Sequence, residues 1–162
     1  MKQETTLNNL QTALAMELTA AHQYQLHAGI LSDWGIDRLA AKMRGEMQEE
    51  MGHSDAFMER IIFLKGEPNL VLAKTPMIAG SLVEMFEADL ADEKEAIDFY
   101  TSAARQAADD ADIGTRAIFE RIVINEEEHM SWLELQLDLL SKMKEPAYIS
   151  KHMSAPGEDE KS

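Results

Sequence analysis

Two segments of the sequence carry the same pattern of residues, 76 positions apart. In each segment, the residues of one helix face follow one another in alternating steps of three and four, the spacing of a helix packed lengthwise in a bundle. The first seam consists of Leu7, Leu10, Leu14, Glu17, Ala21, Tyr24, Ala28 and Leu31. Adding 76 to each number gives the second seam: Val83, Phe86, Leu90, Glu93, Ile97, Tyr100, Ala104 and Ala107. The pattern predicts two copies of one helical hairpin.

Periodicity and end signals predict four long helices. They cover residues 5–33, 37–65, 81–109 and 112–142. Gly35 and Gly66 are predicted to end the first two helices, because glycine tolerates the left-handed cap conformation. Ser81 and Glu84 form a capping box that starts the third helix. Pro146 is predicted to stop the fourth, since proline lacks the backbone N–H that a helix interior needs.

The stretch GEPNLVLAKTPMIAG, between the second and third helices, contains two glycines and two prolines. It is long for a helix–helix connection and can run the length of a bundle, which would make the second and third helices parallel. The stretch PAYISKHM is predicted to add a short fifth helix. The expected fold is all-α, a ferritin-like four-helix bundle with one long crossover. We divide the chain into a bundle domain at residues 1–153 and a disordered acidic tail at residues 154–162.

Glutamates and histidines interrupt the seams at matching positions in the two halves. The set is Glu17, Glu50 and His53 in the first half, and Glu93, Glu126 and His129 in the second, each 76 positions further on. In each Glu-x-x-His pair the two side chains share one helix face. One such pair in an acidic chain is usually a solvated surface, as we expect for Glu127 and Glu128. The repetition on four helices instead predicts a metal site.

Charge balance gives the physical reason for this prediction. Four carboxylates buried together repel one another, and two divalent cations would neutralise them. A mixed set of carboxylates and imidazoles suits iron or manganese better than calcium or magnesium. Glu50 and Glu126 are placed to bridge the two ions. Glu17 with His53 would hold one ion, and Glu93 with His129 the other.

The two seam tyrosines, Tyr24 and Tyr100, lie two helical turns beyond Glu17 and Glu93. Packing in the core is the first expectation for both. Their hydroxyl groups are also placed to hydrogen-bond a metal-bound glutamate. A tyrosine beside iron can give up an electron, so Tyr24 is a candidate redox residue.

The composition excludes several other functions. The formal net charge of −15 argues against a nucleic-acid partner, because phosphate binding needs clustered lysine and arginine. The absence of cysteine excludes disulfides, thiolate catalysis and cysteine-ligated iron–sulfur clusters. No apolar stretch approaches the ~20 residues of a membrane span, and the start MKQETTLNNL lacks the apolar run of a secretory signal. We expect no membrane association and a cytoplasmic location.

The chain resembles the bacterioferritins over nearly its whole length. The resemblance rests on MELTAAHQYQLHA, DWGIDRLA, EEMGHSDAFMERIIFLKGEPNL, DLADEKEAI and NEEEHMSWLELQLDLL. It implies a hollow cage of two dozen identical chains built from two-fold dimers. It also implies ferroxidase activity: O2 or H2O2 oxidises Fe(II) at a site of two iron ions per chain, and the cage stores the ferric mineral. The six glutamates and histidines match the family's metal ligands, and Tyr24 and Trp132 match aromatic residues near them.

The resemblance further implies haem b, shared between two chains, with Met51 as its axial ligand. Gln25 and Gln48 depart from the family there, because they stand where apolar residues more often line the haem. Arg44 likewise stands where an aromatic residue is common, and His22 where an amide is common.

A second departure concerns the inner surface of the cage. Gly45 stands where some members have a histidine of an interior iron site, while Glu49 keeps the acidic partner.

The sequence leaves two other functions open. One is a di-iron peroxidase or oxygenase without storage, and the other is a structural subunit of a mixed cage, co-assembled with a second ferritin subunit.

Overall fold

The structure, a computed structural model, describes residues 2–155 and is all-helical over that range. The helices are α1 Lys2–Asp33, α2 Asp37–Phe63, α3 Leu82–Asp109, α4 Ile113–Met143 and α5 Glu145–Lys151. Helix α1 packs along α2, and α3 packs along α4, so that each half of the repeat forms one hairpin. The short α5 packs against α4. The predicted four-helix bundle with a short fifth helix is confirmed.

The crossover between α2 and α3 runs along α1, which fixes its backbone at three points. Gln11 exchanges hydrogen bonds with Asn69, at 2.6 and 2.9 Å. Further along α1, the Ala73 N–H donates to Thr19 Oγ1 at 2.8 Å. Gln23 then exchanges hydrogen bonds with the Met77 backbone, at 2.8 and 2.9 Å. Because the crossover follows α1 from its start towards its end, α3 begins at the end of the bundle where α2 also begins, and the two helices are parallel.

The predicted helix ends need three corrections. Helix α2 ends at Phe63, and it is Lys65, at φ 65°, that takes the left-handed conformation we assigned to Gly66. At Gly66 a Cβ would lie 2.7 Å from Leu7 Cδ2, so a larger residue there would have to displace the Leu7 side chain. Pro146 does not stop α4, which ends at Met143; it lies in the first turn of α5, where its missing N–H needs no partner. Gly35 has φ 80°, as predicted.

Helix α3 begins with a buried residue one position before the predicted seam. Ser81 caps it, accepting a hydrogen bond from the Glu84 N–H at 3.2 Å, as the capping box predicts. Val83, predicted to lie in the seam, is 41% exposed, and Leu82 is buried in its place. The repeat partners in the first half behave alike, since Thr6 is buried and Leu7 is only partly buried. In the second half, Tyr148 of α5 packs edge-on against Phe86, with ring centroids 6.1 Å apart.

The core consists of two apolar clusters with a polar layer between them. One cluster, at the end of the bundle where α3 begins, includes Leu31, Met43, Phe86 and Tyr148. The other includes Leu10, Phe57, Tyr100, Phe119 and Ile122. The predicted carboxylates and imidazoles lie between these clusters on the four long helices, which shield them from solvent on both sides.

Beyond α5, the Ser154 N–H donates to Asp37 Oδ1 at 2.8 Å. Residues 156–162 of the predicted tail lie outside the described residues, so the division at residue 153 stays a prediction.

Within residues 2–155, no helix combines the length and apolar character that a membrane span requires.

Candidate metal centre

The six predicted residues come together in the middle of the bundle as two overlapping groups. One contains Glu17, Glu50, His53 and Glu126; the other contains Glu50, Glu93, Glu126 and His129. In each group, one ligand atom per residue lies within 4.8 Å of the others. All six side chains are buried, with residue exposures of at most 6%. Glu50 and Glu126 belong to both groups, which is the arrangement that bridging carboxylates require.

The two halves of the centre are related by the repeat. His53 Nδ1 lies 2.9 Å from Glu126, 3.3 Å from Glu17 and 3.7 Å from Glu50. His129 Nδ1 lies 2.9 Å from Glu50, 3.4 Å from Glu93 and 3.6 Å from Glu126. Exchanging each residue for its repeat partner converts the first set of contacts into the second. The pseudo-two-fold arrangement expected from the 76-residue repeat is therefore present.

The outer nitrogens of the two histidines break this symmetry. His53 Nε2 lies 3.0 Å from the amide nitrogen of Asn125. His129 Nε2 lies 2.7 Å from Glu46 and 3.0 Å from Glu49, which is the repeat partner of Asn125. The sequence analysis did not assign Glu46 to the centre. Its spacing of four residues from Glu50 places it on the same face of α2, but the spacing does not predict its contact with α4.

Both tyrosines bond across the halves of the bundle. The Tyr24 hydroxyl donates to Glu93 Oε1 at 2.6 Å, and the Tyr100 hydroxyl donates to Glu17 Oε1 at 2.5 Å. Burial raises the pKa of both phenols well above the ordinary value, and the facing carboxylates raise it further. Both hydroxyls therefore keep their protons and fix one oxygen of each non-bridging glutamate. The hydrogen bonds expected from the sequence are present for both residues.

Protonation in the metal-free protein differs between the two kinds of carboxylate. Burial, and then the neighbouring carboxylates, raises the pKa of Glu17 and Glu93 well above the ordinary value. Burial also opposes ionisation of Glu50 and Glu126. Side-chain contacts of Glu50 with Glu17 and of Glu126 with Glu93, followed by contacts with both histidines, outweigh it and hold their pKa values below the ordinary one.

The histidines show the matching shift. Burial lowers the pKa of His53, but its contacts with Glu126, Glu17 and Glu50 outweigh burial and raise the pKa to about 12. The pKa of His129 rises for the same kind of reason, through Glu126, Glu46, Glu50 and Glu93. Two cationic imidazoles thus balance the two ionised glutamates.

A buried polar network near the centre escaped the sequence analysis. His27 Nδ1 lies 3.0 Å from Asp89 Oδ2, and His27 Nε2 lies 2.9 Å from Gln23 Nε2. All three side chains are buried. The repeat hid them, because the positions 76 residues from His27 and Asp89 are Ala103 and Ala13.

The residues predicted to bind haem lie on the opposite, outward side of α2. Met51 is 42% exposed, and Arg44 and Gln48 are exposed beside it. On α1, His22 and Gln25 are exposed and contact each other at 3.0 Å. Trp132 is partly buried and packs edge-on against Phe86, with ring centroids 6.0 Å apart. As predicted, Glu127 and Glu128 face solvent.

The fold and this candidate centre define a class of protein: ferritin-like four-helix bundles with a carboxylate and imidazole site for a pair of metal ions. The family model of the ferritin-like domain matches residues 7–143. Bacterioferritin from Rhodobacter capsulatus is 40% identical over 134 residues, which is 83% of this chain and 83% of the relative. Bacterioferritin from Brucella melitensis is 40% identical over 142 residues, 88% of each chain.

Solved structures give the same result. The structure of R. capsulatus bacterioferritin, with a metal-free dinuclear site and a haem iron in a crystallographic special position, superposes with a TM-score of 0.92. The two sequences are 35% identical there, and the match covers 95% of this chain and 96% of the other. The chain belongs to the bacterioferritin family, which confirms the resemblance drawn from the sequence.

Proposed function

We propose that the protein is an iron-storage ferroxidase, which oxidises Fe(II) at the six-residue centre and stores ferric mineral in a cage of two dozen chains. The observation that carries this proposal is the duplicated set of buried carboxylates and imidazoles, whose ligand atoms converge on two adjacent positions. The dinuclear site of the related R. capsulatus bacterioferritin supports a site for two metal ions.

The donor set fits a pair of ferrous ions. Four carboxylates offer four negative charges against the four positive charges of two divalent ions, and two imidazoles add neutral donors. Several buried ligand atoms, among them Glu17 Oε2, Glu50 Oε1, Glu126 Oε1 and both Nδ1 atoms, approach one another to between 2.9 and 3.3 Å without the geometry of a hydrogen bond. Unpartnered buried polar atoms are rare in proteins, and a bound cation would satisfy these.

In this mechanism Fe(II) is the substrate, and the residues of the chain bind and orient it. Glu17 with His53 holds one ion, and Glu93 with His129 the other. Glu50 and Glu126 bridge them and keep the ions side by side, so that two electrons leave together. O2 takes up two electrons and two protons to give H2O2, or H2O2 takes up two of each to give two molecules of water.

The tyrosines orient the non-bridging glutamates in this mechanism. Tyr100 holds Oε1 of Glu17, whose Oε2 lies 3.3 Å from His53 Nδ1. Tyr24 holds Oε1 of Glu93, and the same oxygen lies 3.4 Å from His129 Nδ1. The redox role of Tyr24 stays a prediction.

Assembly into a homo-oligomeric cage is part of the proposal. The isolated chain exposes large apolar side chains that contacts between copies would cover, including Phe63, Met77, Ile78 and Ile113. Co-assembly with a second ferritin subunit is the alternative arrangement, and the mass of the purified particle separates the two. The cytoplasmic location stays a prediction.

Anaerobic titration of the metal-free protein with Fe(II), followed by oxidant, tests the function. We expect saturation at two Fe(II) per chain, fast oxidation, and then continued uptake that builds an electron-dense core. Uptake that stops at two ions per chain, with repeated turnover of peroxide, would instead identify a peroxidase or oxygenase without storage. Failure to bind iron with this stoichiometry would favour the structural-subunit function.

We also propose that Met51 is the axial ligand of haem b at a two-fold axis between two chains. The exposed thioether is a suitable soft donor for haem iron, and Arg44, two helical turns earlier on the same helix, is placed to pair with a propionate. When bound, the haem supplies one-electron transfer. Gln25 and Gln48 make this surface more polar than an apolar haem pocket.

Replacing Met51 by leucine is expected to remove the haem absorption band, because leucine keeps the apolar volume but has no donor atom. The two Fe(II) per chain at the buried centre should remain, since Met51 faces away from it. Met153→Leu, at another exposed methionine, is the matched control and should keep the band. A band of equal intensity in Met51→Leu would contradict the assignment.

A further inference from the structure

The two metal positions of the centre have the same ligands but different surroundings. Within the ligand set, the 76-residue repeat exchanges each glutamate and histidine for a residue of the same type. The residues behind the two histidines do not follow this rule. The first half has Lys42, Glu46 and Glu49 where the second half has Ile118, Ile122 and Asn125. The outer contacts are therefore where the two positions can come to differ.

Behind His129, negative charge contacts the outer ring nitrogen. Its Nε2 lies 2.7 Å from Glu46 Oε2 and 3.0 Å from Glu49 Oε2. Glu46 is 4% exposed, so its contact with the imidazole is screened little by solvent ions. The ammonium group of Lys42, one helical turn earlier on α2, contacts the other oxygen of Glu46. This contact holds the carboxylate in place beside His129.

Behind His53, the outer ring nitrogen contacts a neutral amide. The side-chain nitrogen of Asn125 lies 3.0 Å from His53 Nε2. Within residues 2–155, the carboxylates that pair with His53 are Glu17, Glu50 and Glu126, and all three contact Nδ1. The amide also turns its nitrogen, a donor, towards Nε2, so it must rotate before it can accept a hydrogen bond there.

Metal binding makes this difference between amide and carboxylate important. An ion bound at Nδ1 leaves the proton of the neutral imidazole on Nε2, and the group that accepts this proton sets how strongly the ring binds the metal. A carboxylate accepts the proton more strongly than an amide does, because its charge strengthens the hydrogen bond. Loss of such an outer partner typically lowers metal affinity ~10- to 100-fold.

We propose that the two metal positions are unequal, and that the position at His129 binds its ion more tightly and fills before the position at His53. Glu46, Glu49 and Asn125 act as positioning residues that set this order through the outer ring nitrogens. The inference rests on the proposed ferroxidase function, since it requires a centre that takes up two divalent ions.

The order of filling has a consequence for the oxidation of iron. A chain that holds one ion keeps it at the His129 position, where no pair has formed and two electrons cannot leave together. The affinity of the His53 position then sets the Fe(II) concentration at which fast oxidation begins. In this way Asn125 keeps the centre inactive while Fe(II) is scarce.

Stepwise anaerobic titration of the metal-free protein with Co(II) measures the two binding steps, because the visible absorption of Co(II) reports each ion without oxidation. The wild-type protein should bind one ion per chain in a tight step and a second ion in a weaker step. Repulsion between two cations would also separate the steps, so the assignment depends on variants that each alter one position.

Asn125→Asp places a carboxylate behind His53, and should strengthen the second step about 10-fold while changing the first less than about twofold. Glu46→Gln removes the buried charge behind His129, and should weaken the first step about 10-fold. Glu49→Gln, at the exposed edge of the same contact, should weaken the first step by a smaller factor.

Two matched controls alter charge away from the outer ring nitrogens. Asn9→Asp adds the same charge as Asn125→Asp at another partly buried asparagine, two helical turns before Glu17 on α1. Glu127→Gln removes a charge from an exposed position of α4. Both controls should bind two Co(II) with the wild-type affinities at each step.

Three outcomes would count against the proposal. A stronger first step in Asn125→Asp would show that the His53 position fills first, which overturns the order. Wild-type affinities at both steps in Asn125→Asp and Glu46→Gln would overturn the role of the outer contacts. Circular dichroism verifies folding, and if Glu46→Gln does not fold, Asn125→Asp alone decides. If the wild-type protein itself does not bind two Co(II), the proposed function fails instead, so the two failures are distinguishable.

Discussion

Replacing Glu126 by alanine is expected to abolish binding of the second Fe(II) and fast oxidation of iron. Glu126 is shared by both groups of ligands, and its oxygens lie 2.9 Å from His53 and 3.6 Å from His129. Losing a bridge removes one donor from each metal position at once. Loss of an outer-shell partner alone typically lowers metal affinity ~10- to 100-fold, so we expect a loss of more than about 100-fold. Anaerobic Fe(II) titration followed by stopped-flow oxidation measures both effects.

Glu127→Ala provides the matched control. Glu127 is the next residue on α4, carries the same charge and faces solvent. The control should bind two Fe(II) per chain and oxidise them at the wild-type rate. Far-UV circular dichroism and particle size verify that both variants fold and assemble. Equally fast oxidation in Glu126→Ala and Glu127→Ala would show that the repeated glutamates and histidines are not the working centre.

The second large effect is a steep dependence of metal affinity on pH. In the metal-free protein, contacts with the carboxylates raise the pKa values of His53 and His129, and burial raises those of Glu17 and Glu93, so these four groups hold their protons to a higher pH than usual. The pKa values of Glu50 and Glu126 are lowered instead. Metal binding needs neutral imidazoles and ionised carboxylates, and must therefore displace these protons.

We expect about two to four protons to be released per pair of divalent ions: two from the histidines, and those that Glu17 and Glu93 still hold at the working pH. The sign follows from the direction of the shifts. Because the metal-free state holds the protons, acidification favours it, and each pH unit downwards should weaken binding of the pair about 10-fold for every proton exchanged. Adding Co(II) to metal-free protein in weak buffer near pH 7, with a pH indicator, counts the protons directly.

The same titration with Glu126→Ala is the control for this measurement, because a centre that does not fill should release far fewer protons. Release of one proton or none from the wild-type protein would show that its histidines are neutral and Glu17 and Glu93 ionised before metal binds. In that case affinity would change little across neutral pH.

The sequence was sufficient for the features that depend on local periodicity. A spacing of three and four residues defines a helix face wherever it occurs, so the four long helices and their seams could be assigned without tertiary information. The 76-residue repeat then brought the six ligand positions into register, and the length of the crossover set the direction of α3. Each of these properties follows from distances along the chain.

Predictions failed where the two halves are not equivalent. Asn125 stands opposite His53 where Glu49 stands opposite His129. The His27–Asp89 pair has alanines at the corresponding repeat positions. A repeat predicts only what both copies share.

The sequence by itself determined the helices, the bundle and the identity of the six clustered residues, because helix periodicity and ligand chemistry are encoded in residue type and spacing. The tertiary structure alone decided which hydroxyl holds which glutamate, which histidine nitrogen faces the centre, and where the crossover is anchored. These contacts join residues 54 to 83 positions apart, such as Gln23 with Met77 and Glu17 with Tyr100. Their distances depend on how the two hairpins pack, and side-chain packing to within an ångström is not a function of local sequence.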